Sequence, residues 1–387
     1  MASARTNRRL RIAQVSPLYE SVPPQGYGGT ERVVSWLSEQ LVEQGHDVTL
    51  FASGDSLTSA RLVPICRRAL RLDPHCVDSL AHHVRMLERV FQMADQFDLI
   101  HFHTDYLHFS QARRLKTTAH VATLHGRLDM PDLPPLYDEF SDIPVISISD
   151  AQRKPLLQAN WQATVYHGLP PDLHTFCDQP EDYIAFLGRI SPEKRPDRAV
   201  EIACRTGMKL RIAAKVDRAD QEYYQAKIKP LLDQYPGQVE FIGEVAGKAK
   251  DEFLGRARAL LFPIDWPEPF GLVMIESLAC GTPVIAYPCG SVPEVLTDGV
   301  TAFIVHNQDE AVRAVQRLPE LSRRRCRQVF EERFLDARMA RDYLAVYRRL
   351  LGRKARSARA TLRASGVLPH SPAAFRPPSN EGTSLHP

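Results

Sequence analysis

No apolar run in the 387 residues approaches the roughly 18 that a membrane-spanning helix needs, which excludes a helical integral membrane protein as the reading. Paired-cysteine spacing is missing too. The seven cysteines (Cys66, Cys76, Cys177, Cys204, Cys280, Cys289 and Cys326) form no C-x-x-C, so neither a disulfide framework nor a structural zinc site is expected, and reduced thiols are. Charge of one sign is also lacking. A formal net charge of +3 gives no electrostatic case for nucleic acid as a partner. The basic start at Arg5, Arg8 and Arg9 resembles a leader, but Arg11, Gln14 and Glu20 interrupt the stretch after it, so the expectation is a cytoplasmic protein without a secretory peptide.

What is present is ordinary globular composition, 44% hydrophobic and 25% charged, over a length that calls for two domains at about 150 residues each. The first half alternates short apolar runs with helical patterns. A strand at Ile12–Ser16, a helix from Thr30 to Gln44 and a strand at Val48–Phe51 make a β-α-β start, with Val33, Val34, Leu37, Leu41 and Val42 on one helix face and Gly45 as its stop. Further strands are expected at Asp98–Phe102, Val121–Leu124, Pro144–Ile148 and Thr164–Tyr166. A second series begins at Tyr183–Leu187 and continues at Leu210–Ala214, Val239–Ile242, Ala259–Phe262, Val284–Ala286 and Ala302–Val305. Such alternation implies an α/β fold of two doubly wound, mostly parallel sheets. The expected domains are 1–170 and 171–335, joined through the turn-rich stretch Gly168–Pro180. A helical pattern then runs from Gln308 past Arg349, with Phe334, Met339, Tyr343, Tyr347 and Leu350 as apolar points; its last part, 336–350, is expected to pack back toward the first domain. Residues 351–387 turn basic (Arg353, Lys354, Arg356, Arg359, Arg363) and then rich in proline and serine, which reads as a disordered tail.

The chemistry concentrates in three places. Glu268 and Glu276 flank a helix start, because Pro269 and Gly271 favour a turn while Leu272–Cys280 holds helix formers ending at Gly281. Two carboxylates beside free helix N–H groups suit a ligand carrying several hydroxyls and a phosphate, as a nucleotide sugar does. Gly188-Arg189-Ile190-Ser191-Pro192-Glu193-Lys194 follows a strand and precedes a helix near Pro196, the edge at which open α/β sheets bind ligands. Arg189 and Lys194 there offer two cations to a diphosphate, or a loop salt-bridged to Glu193. In the first half, Gly26-Tyr27-Gly28-Gly29-Thr30 joins strand to helix, with glycines that allow close backbone approach and Thr30 placed to cap. His101, His103, His108, His125 and His167 lie at or just past strand ends; His125-Gly126-Arg127-Leu128-Asp129 would face the interdomain cleft, with His103 and Asp105 near it.

Together these residues resemble the family-4 retaining glycosyltransferases, over Ile12 to Arg349. The resemblance rests on the E-x7-E block Glu268–Glu276, Gly188-Arg189 with Glu193-Lys194, the Gly28-Gly29 loop and Phe241-Ile242-Gly243-Glu244-Val245. It implies the GT-B architecture: two facing Rossmann-like domains, the first binding the acceptor and the second a nucleotide-diphospho-sugar, most simply UDP-linked, in the cleft between them. Glu276 matches the carboxylate that holds the ribose hydroxyls, and Glu268 the one at the donor sugar. Arg189 and Lys194 match the diphosphate pair, and His125 a histidine near the transferred sugar. Gly28, Gly29, Val245, Phe270, Gly271 and Leu272 complete the donor side. His103, Asp105 and Arg127 fall on the acceptor side. The implied reaction is metal-independent transfer to a hydroxyl of a saccharide, lipid or small molecule, with no cofactor beyond the nucleotide sugar as co-substrate. An epimerase or phosphorylase on the same fold, and a non-catalytic nucleotide-sugar-binding protein, remain alternatives. The sequence departs from the family's pattern at Ala213-Ala214-Lys215-Val216-Asp217, at His167-Gly168-Leu169-Pro170 and at Asp265-Trp266, which leaves the donor sugar open; Lys215 is read as a donor contact or a helix cap. The basic tail adds an expectation of peripheral contact with an anionic membrane surface.

Overall fold

The computed structural model describes residues 8–115 and 117–364. Two fully parallel sheets divide the chain. The first contains β1 (Arg11–Val15), β2 (Asp47–Ala52), β3 (Arg61–Pro64), β4 (Leu99–Phe102), β5 (Ala119–Thr123), β6 (Pro144–Ser147) and β7 (Asn160–Thr164), in the order β3-β2-β1-β4-β5-β6-β7. The second holds β8 (Tyr183–Arg189), β9 (Lys209–Lys215), β10 (Val239–Gly243), β11 (Leu260–Phe262), β12 (Val284–Ala286) and β13 (Ala302–Ile304), in the order β10-β9-β8-β11-β12-β13. In each, the order reverses beside the first strand of the series. That makes β1/β4 and β8/β11 the switch points at whose carboxyl ends a crevice opens. The fold is therefore α/β with two Rossmann-like domains.

Burial follows the two-sided character of parallel sheets. Ile12, Ala13, Val15, Leu99, Ile100 and Phe102 are all sealed from solvent, so successive residues, not alternate ones, are apolar. The helix Gly29–Glu43 covers one face through Val33, Val34, Leu37 and Leu41. Glycines stand at its start, with Gly28 at the N-cap, so Thr30 is the second helical residue and caps nothing.

Four further expectations are corrected. The last strand of the first sheet is Asn160–Thr164, not Thr164–Tyr166. Its Asn-Trp-Gln-Ala-Thr composition and half-buried edge position give little apolar signal. Edge strand β3, half-buried and ending in Pro64, has no counterpart among the expected strands. The single helical pattern from Gln308 is broken into Gln308–Arg317, Arg323–Arg333 and Asp336–Ala364, with Pro319 inside the first interruption. The final helix also continues through 351–364, where the irregular tail is expected to begin. Its Leu-Gly-Arg-Lys-Ala-Arg-Ser-Ala-Arg-Ala run contains good helix formers, and Lys354 donates to the Thr118 carbonyl. Residues 365–387 lie outside the described part. No helix among the described residues is long and apolar enough to cross a membrane.

The chain passes between the domains twice, and the passages touch. Leu169 N–H donates to the Phe334 carbonyl at 2.8 Å, and Asp336 N–H donates to Leu169 at 3.0 Å. The final helix then packs against the helix Gly29–Glu43 and β5 of the first domain. One apolar cluster joins Ile12, Leu37 and Val121 through Tyr343 and Tyr347 to Phe334, Phe270 and Met274. A polar tie reinforces it: Glu294 accepts from the Asp150 and Ala151 N–H groups at 2.7 and 2.6 Å and from Tyr166 at 3.0 Å.

Candidate active site

A cavity of about 1000 Å³ lies between the carboxyl ends of the two sheets. The residues assigned to the donor and acceptor sides line it: Gly28, Gly29, His103, Asp105, His125 and Arg127 from the first domain, and Arg189, Lys194, Val245, Glu268, Phe270, Gly271, Leu272 and Glu276 from the second, whereas His101 and His108 are buried inside the first domain and do not reach it.

Glu268 is set by the segment after β11. Its carbonyl accepts from Ser291 N–H at 2.9 Å, and the Ser291 hydroxyl donates to the Phe270 carbonyl at 2.9 Å. Gly290 fits under this segment only because it lacks a side chain: a Cβ there would lie 2.3 Å from both N and O of Glu268, and its φ of +61° is the left-handed region. Gly290→Ala is therefore expected to displace the Glu268 backbone and destabilise the protein by about 1–3 kcal/mol, read as a lower urea midpoint. An unchanged midpoint would show that the loop relaxes freely. The Glu268 carboxylate is nearly buried, accepts from Trp266 Nε1 at 3.1 Å and is bonded by Lys194 Nζ. That ammonium also sits 4.7 Å from the Trp266 ring centre. Gly271, at φ +75°, turns the chain into the helix Leu272–Ala279, whose N-terminus has no side-chain cap.

Glu276 is on the second turn of that helix, buried, and bonded by Lys250 from the helix Gly247–Gly255 at 2.5 Å. Burial alone would raise its pKa, but Lys250 and then His174 outweigh it, so the carboxyl is held below its ordinary value. Arg189, at the end of β8, is bonded to Glu193 and lies 3.4 Å from Asp220 and 3.8 Å from Asp217. The loop ion pair and the cleft-facing position thus coexist. Lys215, at the end of β9, pairs with Asp217 at 2.9 Å and caps no helix. Every cation named here rests against a carboxylate, and an anionic ligand would enter by exchange. Beside Glu276, His174, Asp251 and Cys280 bring ligand-type atoms within 4.8 Å of one another. Asp251 there already accepts from Thr175 N–H at 2.9 Å and lies 3.2 Å from His174 Nδ1.

On the facing wall, Gly29 lies beside the start of the helix Leu272–Ala279, where a Cβ would meet the Leu272 side chain at an ordinary contact distance of 3.7 Å. His125, at the end of β5, contacts His103 (Nε2 to Nδ1, 2.8 Å) and stacks on His167 at 5.4 Å; His167 in turn meets the Phe270 ring edge-on at 4.7 Å. Burial pushes His125 down to about 3, and burial followed by neighbouring histidines holds His103 and His167 well below their ordinary value. These rings are neutral at pH 7 and serve as hydrogen-bonding groups, not as imidazolium acids. Arg127 forks onto Asp129 (2.8 and 2.9 Å) and lies 5.9 Å from the Trp266 ring across the cleft. Asp105 adopts φ +47°, a conformation aspartate tolerates better than most residues.

Lys250 escaped the sequence reading. Lys248-Ala249-Lys250 on a short helix looks like any solvated charge, and only the fold brings one of the pair onto Glu276.

Family models match both halves: the one described as Glycosyltransferase Family 4 over residues 27–164, and the one described as Glycosyl transferases group 1 over 176–332. The D-inositol 3-phosphate glycosyltransferase of Mycolicibacterium smegmatis is 29% identical over 150 residues, 38% of this chain and 32% of that protein. The match thus spans about a third of that relative's length. Among solved structures, AviGT4, a glycosyltransferase involved in avilamycin A biosynthesis, is 25% identical with a TM-score of 0.68, covering 89% of this chain and 98% of that one. The Anabaena protein HepE, in complex with UDP and glucose, is 16% identical with a TM-score of 0.68, covering 87% and 99%.

Proposed function

Because the chain belongs to the family-4 glycosyltransferases, of GT-B architecture, we propose that it moves a sugar from a UDP-linked donor to a hydroxyl acceptor, with retention at the anomeric carbon and without a metal ion. The observation that carries this reading is the pairing of both block carboxylates with lysines from separate elements, Lys194 on Glu268 and Lys250 on Glu276, in the cavity that also holds Arg189. Glu276, ionised and rigid, is suited to accept from the two ribose hydroxyls. Breaking the bond between the anomeric carbon and the phosphate oxygen moves negative charge onto the diphosphate. Arg189 and Lys194, exchanging their present carboxylate partners for the diphosphate, and the N–H groups of Gly271 and Leu272 would stabilise that charge where it develops. Supplying the charge from protein groups is the ground for metal independence. Glu268 orients the sugar and offsets positive charge at the anomeric carbon. The acceptor then attacks on the face the diphosphate leaves, and a departing phosphate oxygen takes its proton. His103, Asp105 and Arg127 form the wall at which the acceptor binds. The UDP bound in the Anabaena structure supports the choice of nucleotide.

UDP is expected to raise the melting temperature of the protein, and Glu276→Gln to remove most of that shift, since the amide replaces one acceptor with a donor and loses the charge. Equal UDP stabilisation of parent and variant would count against the ribose role. Incubation with UDP-sugars and an acceptor panel, followed by mass spectrometry, reads the transfer itself; sugar conversion in the absence of any acceptor would favour an epimerase.

A further inference from the structure

Behind His125 runs a line of polar groups sealed inside the first domain. His125 Nε2 lies 2.8 Å from His103 Nδ1, and His103 Nε2 lies 2.8 Å from Gln14 Oε1. Gln14 Nε2 donates to the Tyr347 hydroxyl at 3.3 Å, which lies 2.7 Å from His101 Nδ1. His101 Nε2 is 2.7 Å from Thr123 Oγ1, and that hydroxyl donates to Tyr343 at 3.1 Å. Gln14, His101 and His103 are almost wholly buried, so no solvent serves as a substitute partner.

Each ring nitrogen in a neutral imidazole is either a donor or an acceptor, and a side-chain amide has one end of each kind. Gln14 therefore gives the line a direction. With its oxygen toward His103, the His103 proton is on Nε2 and its Nδ1 is bare; a bare Nδ1 requires that His125 carry its proton on Nε2. Nδ1 of His125 is then bare as well. It has no partner among the described residues and is not among the buried atoms left unpaired, and His125 lines the cavity. Beyond Gln14 the same direction holds: Tyr347 donates to His101, and His101 donates to Thr123.

Resting on the donor reading above, we propose that Gln14 is a positioning residue that fixes His125 in the tautomer with a bare Nδ1 toward the cleft, so that His125 accepts a hydrogen bond from a hydroxyl of the donor sugar. Gln14 touches neither sugar nor nucleotide. It acts through His103, and Tyr347 of the final helix holds the amide in the orientation that does so.

The native protein tests this directly. Long-range ¹⁵N–¹H correlation spectra of the histidine rings, assigned with His125→Gln and His103→Gln, are expected to show both residues protonated at Nε2 only. A proton on Nδ1 of His125 would overturn the assignment of direction. Gln14→Leu is expected to restore a mixture of His125 tautomers and to weaken UDP-glucose roughly three- to tenfold while leaving UDP itself unchanged. Gln14→Glu keeps an acceptor toward His103 and is expected to retain the His125 tautomer. Equal weakening of UDP and UDP-glucose in Gln14→Leu would reduce Gln14 to a structural role and sink the proposal. Failure of the parent to bind UDP would overturn the donor reading instead, while the spectra still decide the direction of the line.

Discussion

Glu268→Gln is expected to lower turnover on the order of 10²- to 10³-fold while UDP binds at least as tightly as to the parent. The side chain keeps its size and its contact with Trp266, so the cavity keeps its shape. The lost charge has two effects of opposite sign. Positive charge growing at the anomeric carbon loses the carboxylate that offsets it, which slows the chemical step. Lys194, no longer bonded to a carboxylate, is freer to turn to the diphosphate, which strengthens ground-state binding. Turnover measured by product formation and UDP affinity measured by calorimetry should therefore move apart. A variant whose turnover stays within a few-fold of the parent would remove Glu268 from the chemistry, and a parallel loss of UDP affinity would make it a nucleotide-binding group.

Mild acid should unfold the protein well above the range in which its carboxylates titrate. His101, His103, His108 and His167 are buried in the first domain and held well below their ordinary value, by burial first and by neighbouring charges second; His125 is pushed down to about 3 by burial. The sign comes from linkage. In the unfolded chain these rings take protons near pH 6.5, whereas the folded rings resist until far lower pH, so their stabilising effect is fully present above about 6.5 and is lost as pH falls below it. Each fully buried ring costs up to about 1.4 kcal/mol per pH unit in that window. Several together can exhaust a total stability of about 5–15 kcal/mol within one to two units. Glu31 and Asp336, both raised mainly by burial, act in the opposite direction, but from ordinary values of 4.5 and 3.8. Urea midpoints should fall steeply between pH 7 and pH 5. A flat midpoint across that range would mean that the histidines are hydrated or already paired with acids.

Much of the fold was legible because parallel strands buried on both faces are written as unbroken apolar runs. Ile184-Ala185-Phe186-Leu187 and Leu210 through Ala214 announced β8 and β9 within a residue or two. The second domain's side of the cavity was legible for a related reason: Glu268, Arg189 and Lys194 sit at strand ends or in the segments between strand and helix, where a sequence marks its own boundaries with proline and glycine. Side chains whose meaning depends on a distant partner were not. Lys250 acquires its role only from Glu276, and Gln14 only from His103 and Tyr347. Family membership rests on the models that match both halves of the chain; glycosyl transfer itself, the nucleotide, the stereochemistry and the acceptor belong to the proposal. The end of the final helix went unread because a dense run of arginines resembles a solvated tail whether or not it is helical.

The final helix has a consequence for how the molecule comes into being. Gln14 and Tyr347 are 333 positions apart, yet they belong to one polar line in the first domain, and Met339, Tyr343 and Tyr347 complete its apolar core. Emerging from the ribosome, the first sheet has its strands long before it has that helix. Until then, Gln14, His101 and Thr123 face an open groove. The domain made first is thus finished last, and contacts of such long range belong to slow folding.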